Sequence, residues 1–372
     1  MSNSIIEIDT QRFTDNLQAI RLQINFNSNG AKFCLPVKAD AYGHGLIKIA
    51  TIAEPFVDYY GVACLEEGIF IRNAHITKPI LVFGAFSDED IPGLVKNNLE
   101  ITVSSPLKAD HLAKFCEHNN LTCKVHIKID TGMGRVGVRV DSAKSLIDFV
   151  VKTPRLKLTG LYSHLACSDE DEREFTNYQI AEFKKIVSYV RAIDPNIICH
   201  IANSGAVCDY PNAYFDMVRP GILSYGYFPK EKITTGLLSK IKPCYTLKSK
   251  VVFFKTMKEN QSISYNRTYF TSNFTRVITV PIGYGDGYRR ILSNTGNAII
   301  RGKKHTISGT ICMDMLMIDI GDNGVAYIND EVILIGTQGD ETILIEEVAK
   351  KCSTNVYEIL CGFTSRVPRI YK

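Results

Sequence analysis

In this 372-residue chain, side chains capable of acid–base and nucleophilic chemistry follow directly after short apolar runs of sequence. The residues that share this placement are Lys38, Arg135, His164, Ser204 and Arg219. A lysine amine that is shielded from water has a lowered pKa, and the neutral amine can react with an aldehyde. A single lysine at the end of a strand is usually a solvated surface residue. The cationic and hydroxyl companions of Lys38 nevertheless favour a site for an anionic, electrophilic ligand.

The apolar runs that precede these residues are rich in β-branched side chains, and amphipathic stretches with helical spacing separate them. Eight strands are predicted, at 32–37, 59–64, 80–83, 100–103, 124–129, 158–163, 198–202 and 215–218. The predicted helices include 91–97, 107–119, 172–192 and 143–151, the last capped by Asp141. Strands that alternate with helices in this way are typical of an α/β fold, the (β/α)8 TIM-type barrel. In that fold the residues behind the strands converge on one mouth.

A doubly wound parallel sheet is the alternative α/β fold. It predicts a glycine-rich phosphate loop directly after its first strand. The segment behind the first predicted strand instead begins with Lys38 and holds only two glycines, Gly43 and Gly45. The barrel is therefore the favoured prediction.

The last third of the chain predicts a mostly-β C-terminal domain. Its predicted strands, split by Gly, Asn and Asp turns, are 248–256, 276–281, 297–300, 306–310, 315–320 and 331–335. One helix is predicted at 343–351, opened by Thr342. The predicted domains are therefore a barrel at 1–235 and a β domain at 236–372.

Composition excludes several classes of protein. With 45% hydrophobic and 22% charged residues, the chain is neither disordered nor collagen-like. The net charge of +4 is not gathered into a basic cluster, which argues against a nucleic-acid partner. No run approaches the roughly 20 apolar residues of a membrane span, and Glu7 and Asp9 interrupt any signal peptide. The eleven scattered cysteines form no CxxC pair, which indicates reduced thiols and a cytoplasmic protein.

Several motifs resemble those of one enzyme family and follow its order along nearly the whole chain. The longest are Val37-Lys38-Ala39-Asp40-Ala41-Tyr42-Gly43-His44-Gly45 and the segment 128–137, KIDTGMGRVG. Shorter matches are Ser163-His164, Asn203-Ser204, 219–222, 264–266, 283–287, 312–314 and Tyr357-Glu358. Together these motifs resemble the bacterial alanine racemases, which use pyridoxal 5'-phosphate.

The resemblance implies an isomerase that interconverts L-alanine and D-alanine and supplies D-alanine for peptidoglycan. Lys38 would hold the cofactor covalently and act as one catalytic base. Tyr265, from the second subunit of a head-to-tail homodimer, would act on the opposite face of the substrate Cα, with His164 and Arg219 supporting its anion. The implied cofactor contacts are Lys38, Tyr42, Arg135, His164, Asn203, Ser204, Arg219, Gly221, Ile222 and Tyr357. The implied substrate contacts are Arg135, Met313 and Tyr284.

Two further roles follow from the resemblance. Arg219 would face the pyridine nitrogen, and a guanidinium does not yield its proton. The ring would then be a weaker electron sink, which favours return of the proton to Cα over transamination. A structural pairing of Arg219 with Asp216 or Asp209 is the alternative. Lys128 matches a position that is often carbamylated in relatives, and an unmodified lysine in a local ion pair is the alternative.

Three other functions are disfavoured, because this sequence has a β domain, lacks a signal segment and shows no glycine-rich phosphate loop. A non-catalytic pyridoxal-phosphate carrier would resemble the barrel alone, a broad-specificity racemase would be exported, and a basic-amino-acid decarboxylase would carry a glycine-rich phosphate loop. No metal site is predicted, because the other histidines lack ligand spacing. They are interpreted as mostly surface or core residues: His44, His75, His111, His118, His126, His200 and His305.

Overall fold

The computed structural model describes residues 3–229 and 236–372. The chain divides into two compact units, which we name the barrel unit and the β-rich unit. The barrel unit comprises Gln11–Ala41 and Gly45–Pro243, and the β-rich unit comprises the residues before Gln11, Tyr42–His44 and Cys244–Lys372. The domain boundary predicted at 235/236 adjoins the segment 230–235, which lies outside the described residues. The division also differs from that prediction because the N-terminal strand belongs to the β-rich unit.

Eight parallel strands form a nearly closed barrel, which confirms the predicted TIM-type fold. Their order is Met217–Val218, Lys32–Pro36, Tyr59–Val62, Ile80–Val82, Glu100–Val103, Cys123–Asp130, Leu156–Tyr162 and Ile198–His200. The short strand Val138–Arg139 pairs with Cys123–Asp130 outside this order. Backbone hydrogen bonds from Asp216 N to Cys199 O (3.0 Å) and from Arg219 N to Ala202 O (2.9 Å) join the last strand to the first.

Helices of the barrel unit pack by their apolar faces. In Glu174–Ile193, for example, Phe183, Ile186, Val187 and Val190 are buried at spacings of three and four. The α-helices are Thr10–Asn27, Lys38–Gly43, Leu46–Ala53, Leu65–Asn73, Ile91–Lys96, Pro106–His118, Val140–Lys152, Glu174–Ile193 and Ser204–Asp209. Short 3-10 helices are Asp88–Asp90, Pro211–Ala213, Ile222–Tyr225 and Gly236–Lys240. Within residues 3–229 and 236–372, no helix has the length and hydropathy that crossing a bilayer requires.

The predicted cap at Asp141 is wrong. The helix Val140–Lys152 begins one residue before Asp141, with Arg139 in the capping position and no side-chain cap. Because Arg139 still pairs with the barrel strand, the helix starts directly behind it, and Asp141 forms an ion pair with Arg139 at 3.0 Å.

The β-rich unit is built on one large sheet. Its strand order is Lys303–Thr306, Asn297–Ile300, Glu331–Gln338, Tyr245–Lys250, Ile5–Ile8 and Arg369–Tyr371, and Glu341–Ile343 pairs with Glu331–Gln338. A second sheet joins Phe253–Met257, Thr275–Val280 and Leu316–Asp319, and a hairpin joins Ser262–Ile263 to Tyr269–Phe270. The helices are Ile345–Lys351, Val356–Cys361 and the 3-10 turns Tyr265–Arg267, Tyr284–Asp286 and Arg290–Leu292.

Three predicted elements of this unit are corrected. The strand predicted at 248–256 is two strands, because the chain leaves one sheet after Lys250 and enters the other at Phe253. The strand predicted at 306–310 lies earlier, at Lys303–Thr306, where a turn at Arg301 and Gly302 returns the chain against Asn297–Ile300. Thr342 does not open a helix, since it lies in a strand and pairs with Thr337.

Candidate active site

Lys38 lies where the strand Lys32–Pro36 leaves the barrel, and its side chain is half-buried. It begins a helical turn whose next four residues, Ala39, Asp40, Ala41 and Tyr42, have φ angles of 53, 55, 54 and 55°. This backbone is left-handed, and each non-glycine residue in it costs roughly 1–2 kcal/mol. The surrounding structure must therefore hold the turn in place.

Hydrogen bonds to the preceding strand end, to the following helix and to a neighbouring helix stabilise this left-handed turn. Ala41 N donates to Val37 O at 2.8 Å, and Leu46 N donates to the Asp40 carboxylate at 2.7 Å. The Glu67 carboxylate accepts from Ala39 N and from Ala63 N, each at 2.7 Å. Glu67 thereby ties the residue after Lys38 to the end of the next barrel strand. Sequence reasoning missed Glu67, whose only signal was an acidic residue in the first turn of a helix.

Four cations gather around His164 in the barrel unit. Lys128 is buried, and its pKa is lowered to about 8, first by burial and then by the positive charges of Arg135 and Arg219. Burial, Arg219, Arg135, Lys128 and Lys38 hold the pKa of His164 well below its usual range, so the imidazole is neutral at pH 7. A concentration of positive charge around a neutral imidazole suits an anionic ligand.

Lys128 packs against an aromatic ring and does not form the local ion pair of the alternative among the described residues. Its Nζ lies 5.5 Å from the centroid of the Tyr162 ring. Among the described residues, no carboxylate lies within ion-pair distance of this amine; the charge of the nearby Asp130 only partly offsets the effect of the cations.

Arg219 is buried behind the strand Met217–Val218. Its Nη1 donates to His200 Nδ1 at 2.6 Å, and its Nη2 donates to Ser163 O at 2.8 Å and lies 3.4 Å from His164 Nδ1. Burial lowers the pKa of the guanidinium to about 10, so it stays charged at neutral pH. The alternative pairing with Asp216 is wrong, because that carboxylate binds Arg191 and the backbone N–H of Cys199.

The hydrogen bonds of Arg219 continue into the barrel interior through residues that the sequence analysis assigned to surface or core. His200 Nε2 lies 3.0 Å from His126 Nδ1, and His126 Nε2 lies 2.7 Å from Glu100 Oε2. The available signal was the placement of these polar residues within predicted apolar strands. Polar groups buried in a strand need partners.

The loops behind the last two barrel strands provide hydroxyl and backbone groups. Ser204 is buried at the start of a short helix, and its Oγ accepts from Leu223 N at 3.3 Å. The Asn203 side chain caps that helix by accepting from Ala206 N at 3.1 Å, and Ser168 Oγ donates to it at 2.6 Å. The Asn203 amide thus shapes the loop. These two loops form the usual phosphate site of TIM-type barrels.

The segment before Arg135 is also preorganised. The Asp130 carboxylate accepts from Gly132 N at 3.0 Å and from Gly134 N at 3.1 Å. Both glycines have positive φ angles, 132° and 68°. Arg135 itself is exposed, so its guanidinium can reach a ligand.

In the β-rich unit, Tyr265 projects from a strained turn. Its neighbours Ser264, Asn266 and Arg267 have φ angles of 66°, 60° and 51°. Thr310 Oγ1 donates to Tyr265 O at 2.9 Å, and Ser264 Oγ donates to Thr310 O. The side chain of Tyr265 is 68% exposed. A fixed backbone and an accessible phenol suit a group that must reach a reactant.

Tyr284 and Met313 lie together. Tyr284 N donates to Cys312 O at 3.1 Å, and Gly285 N donates to Met313 O at 2.9 Å. A Cβ on Gly283 would lie 2.2 Å from Cys312 O, so only glycine allows this approach. Cys312 also contacts the turn that carries Tyr265, because Cys312 Sγ lies 3.4 Å from the Oγ of the preceding residue, Ser264.

Tyr42 and Tyr357 form a second pair in the β-rich unit, with ring centroids 5.8 Å apart. The site residues of this unit therefore form two groups. One contains Tyr265, Tyr284 and Met313, and the other contains Tyr42 and Tyr357, whose rings are tilted by 47° to each other.

Comparisons with known proteins agree along the whole chain. The family model "Alanine racemase, N-terminal domain" matches residues 8–229, and "Alanine racemase, C-terminal domain" matches residues 244–371. The alanine racemase of Halothermothrix orenii is 39% identical over 359 residues, which cover 94% of each chain.

Solved structures give the same result. The alanine racemase of Clostridium difficile superposes with a TM-score of 0.93 at 33% identity, covering 100% of this chain and 96% of that one. The alanine racemase of Bacillus anthracis with bound L-Ala-P gives a TM-score of 0.92 at 33% identity, covering 100% and 95%.

A parallel barrel with an amine and clustered cations behind its strands, joined to a β-rich unit, defines a class of barrel enzymes for small anionic ligands. Within that class, the family models and the relatives identify the family. The chain belongs to the alanine racemases.

The residues present fit pyridoxal phosphate. Lys38 offers an amine at the end of a barrel strand, and Ser204 offers a hydroxyl where the last two strand loops meet. The cations around His164 match the charge of a phosphate and of an amino-acid carboxylate. The donor set thus provides partners for an aldehyde and for both anionic groups.

Proposed function

We propose that this chain interconverts L-alanine and D-alanine with pyridoxal 5'-phosphate held at Lys38. The proposal rests on one observation above all, the convergence of Lys38, Lys128, Arg135 and Arg219 around a neutral His164 in a chain of this family. Supply of D-alanine for peptidoglycan is the general role of the family, and we propose the same role here.

When bound, the cofactor withdraws electrons from the bonds of the amino-acid Cα. In our proposal Lys38 Nζ removes or returns the Cα proton on one face, and the Tyr265 hydroxyl of a second copy does so on the other. Two bases are needed because inversion requires that the proton leave one face and arrive at the opposite one. Arg219 would lie against the pyridine nitrogen and would keep its own proton, which would favour return of the proton to Cα.

The remaining residues of the site bind and orient. We assign the phosphate to Tyr42, Ser204, Gly221, Ile222 and Tyr357, with Asn203 shaping the loop. Arg135 and the backbone N–H of Met313 bind the substrate carboxylate, and Tyr284 narrows the entrance. An entrance narrowed in this way would favour a small amino acid such as alanine.

We further propose that the β-rich unit completes the site of a second copy in a head-to-tail homodimer. Large apolar side chains are exposed on this unit, and such patches commonly mark an interface. They include Tyr265, Phe270, Tyr284, Ile291, Met313 and Met315. We assign the reaction to the cytoplasm, because none of the eleven cysteines is joined in a disulfide.

The test is to incubate the cofactor-loaded protein with each alanine enantiomer in deuterated water. Label at Cα and loss of optical rotation are expected from both enantiomers. Lys38→Ala should lose the absorbance of covalently held cofactor. Tyr265→Phe should keep that absorbance and lose inversion by about a hundredfold or more, the usual contribution of an acid–base group.

Matched controls are Lys32→Ala, at the exposed start of the strand that leads to Lys38, and Tyr327→Phe, another exposed phenol of the β-rich unit. Both should racemise alanine as the parent does. Normal racemisation by Tyr265→Phe would remove the two-base assignment, and cofactor binding without Lys38 would remove the attachment site.

A further inference from the structure

A continuous chain of hydrogen bonds crosses the interior of the barrel. Arg219 Nη1 lies 2.6 Å from His200 Nδ1, His200 Nε2 lies 3.0 Å from His126 Nδ1, and His126 Nε2 lies 2.7 Å from Glu100 Oε2. All four residues are at most 4% exposed. Glu100 is the first residue of its strand, and Arg219 follows the end of another strand. The series of hydrogen bonds therefore runs between opposite ends of the parallel barrel.

The direction of every hydrogen bond in this chain is fixed by its ends. A guanidinium has no acceptor, so Arg219 must donate and His200 Nδ1 must accept. A neutral His200 then carries its proton on Nε2 and donates to His126 Nδ1. His126 in turn carries its proton on Nε2 and donates to Glu100. Both imidazoles are therefore neutral and protonated on Nε2.

The charges are consistent with this assignment. Burial and the charge of Arg219 hold the pKa of His200 well below its usual range. Burial alone would raise the pKa of Glu100, but the hydrogen bonds from His126 and Thr159 and the positive charge of Lys124 lower it, so the carboxylate is ionised. Lys124 Nζ lies 3.8 Å from Glu100 Oε1, and Thr159 Oγ1 lies 3.4 Å from Glu100 Oε2. The buried cation Arg219 and the buried anion Glu100 thus lie at the two ends of the series of hydrogen bonds, and the two imidazoles between them both donate in the same direction.

The barrel is shaped around the two imidazoles. A Cβ on Gly160 would lie 2.1 Å from His126 Nδ1, so glycine leaves the room that the ring occupies. The Tyr162 ring stacks on His200 with centroids 4.9 Å apart and planes 1° apart. Neither ring can turn over without displacing its neighbours.

We propose that Glu100 and His126 are positioning residues for Arg219. The carboxylate and the guanidinium favour the same tautomers, so with Glu100 in place both His126 and His200 carry the proton on Nε2 and His200 offers its lone pair to Arg219. The inference rests on the proposed function, in which Arg219 faces the pyridine nitrogen of the cofactor. Without the carboxylate, a proton on His200 Nδ1 would oppose the guanidinium, and Arg219 would lose both its acceptor and its orientation.

The first test is nitrogen-15 NMR of the histidines in the holoenzyme near pH 7.5. Both His126 and His200 should be neutral and protonated on Nε2, with assignments from His126→Gln and His200→Gln. A His200 protonated on Nδ1, or a charged His126, would overturn the proposal even if the protein racemises alanine. Failure to racemise alanine would instead count against the proposed function, because the tautomers are measured independently of activity.

The second test compares two substitutions of Glu100. Glu100→Gln keeps an acceptor for His126, so the spectrum and kcat should stay close to those of the parent. Glu100→Leu removes the acceptor, so the His200 tautomers should become mixed and kcat should fall about tenfold with little change in KM for alanine. Glu117→Leu, at an exposed glutamate of the same unit, should alter neither quantity.

A folded Glu100→Leu variant with an unchanged His200 spectrum and an unchanged kcat would refute the positioning role. If Glu100→Leu does not fold, the spectrum of the parent protein still tests the proposal, because a proton on Nδ1 of either ring would overturn it.

Discussion

At the scale of single residues, the environment of Lys128 is unusual. The amine is buried on one face of the Tyr162 ring and close to other cations, and no carboxylate pairs with it among the residues that the structure describes. A buried lysine without a counter-charge is costly. Conversion of the amine to a carbamate would replace a fourth positive charge by a negative one and would give Arg135 and Arg219 a partner.

We therefore expect Lys128 to react with carbon dioxide, its neutral amine forming a carbamate and releasing a proton. With a pKa of about 8, roughly a tenth of the amine is neutral at pH 7, and this fraction falls as the pH is lowered. Carbon-13 NMR with labelled bicarbonate should show one carbamate signal per chain at pH 8 and a weaker one at pH 6.

Lys128→Arg should abolish that carbamate signal, while Lys124→Arg, at a partly exposed lysine on the same strand, should retain it. A spectrum without a carbamate at pH 8, or with the same signal in Lys128→Arg, would show that the amine is unmodified.

At the scale of the elements, the strands of the barrel could be predicted because each is a short apolar run between polar ends. The predicted convergence of Lys38, His164 and Arg219 follows from one rule, that parallel strands present their carboxyl ends together. The left-handed turn after Lys38 could not be predicted from its residues. Alanine disfavours positive φ, and Asp40 alone tolerates it only occasionally. Its hydrogen bonds come from distant residues such as Glu67.

The buried histidines escaped prediction for a related reason. His126 and His200 are far apart in sequence, and only a nearly closed barrel brings their rings within hydrogen-bonding distance. Without that contact, the position of the proton on each ring is not defined. Sequence spacing can rule out a metal motif, but it cannot reveal a path through the interior.

The strained turn predicts an unusual response to glycine. Ala39 is exposed and has a φ of 53°, so Ala39→Gly should relieve strain of roughly 1–2 kcal/mol. The greater freedom of glycine in the unfolded chain offsets about 0.5–1 kcal/mol. The free energy of unfolding should therefore rise by roughly 0.5–1 kcal/mol, measured by urea denaturation of the holoenzyme.

The comparison variant is Ala181→Gly, at an exposed alanine within the right-handed helix Glu174–Ile193. It should lower the free energy of unfolding by about 1 kcal/mol. Equal destabilisation by both substitutions would mean that the turn after Lys38 is not left-handed in solution.

At the scale of the whole molecule, the residues to which we assign the proton transfers are divided between the two units. The barrel unit carries Lys38 and Arg219, and the β-rich unit exposes Tyr265. If the two bases of one site come from different copies, a chain that lacks one base can be completed by a chain that lacks the other.

Mixing inactive Lys38→Ala with inactive Tyr265→Phe should therefore restore racemisation once subunits exchange. Random exchange makes about half of the dimers mixed, and each mixed dimer holds one intact site of two, so activity should reach about a quarter of the parent level. Racemisation assays before and after exchange, with sedimentation to verify dimers, measure this recovery. No recovery in verified mixed dimers would place both bases in one chain.

The strand Ile5–Ile8 has consequences for how the protein is made. It lies between Tyr245–Lys250 and Arg369–Tyr371 in the large sheet, so both of its neighbours are synthesised long after it. While the barrel is being synthesised, this apolar segment cannot yet pair with its neighbouring strands. During that time it is exposed to association with other nascent chains. Premature termination of translation would leave this strand without its two neighbouring strands. We therefore expect incomplete products to aggregate and to depend on chaperones.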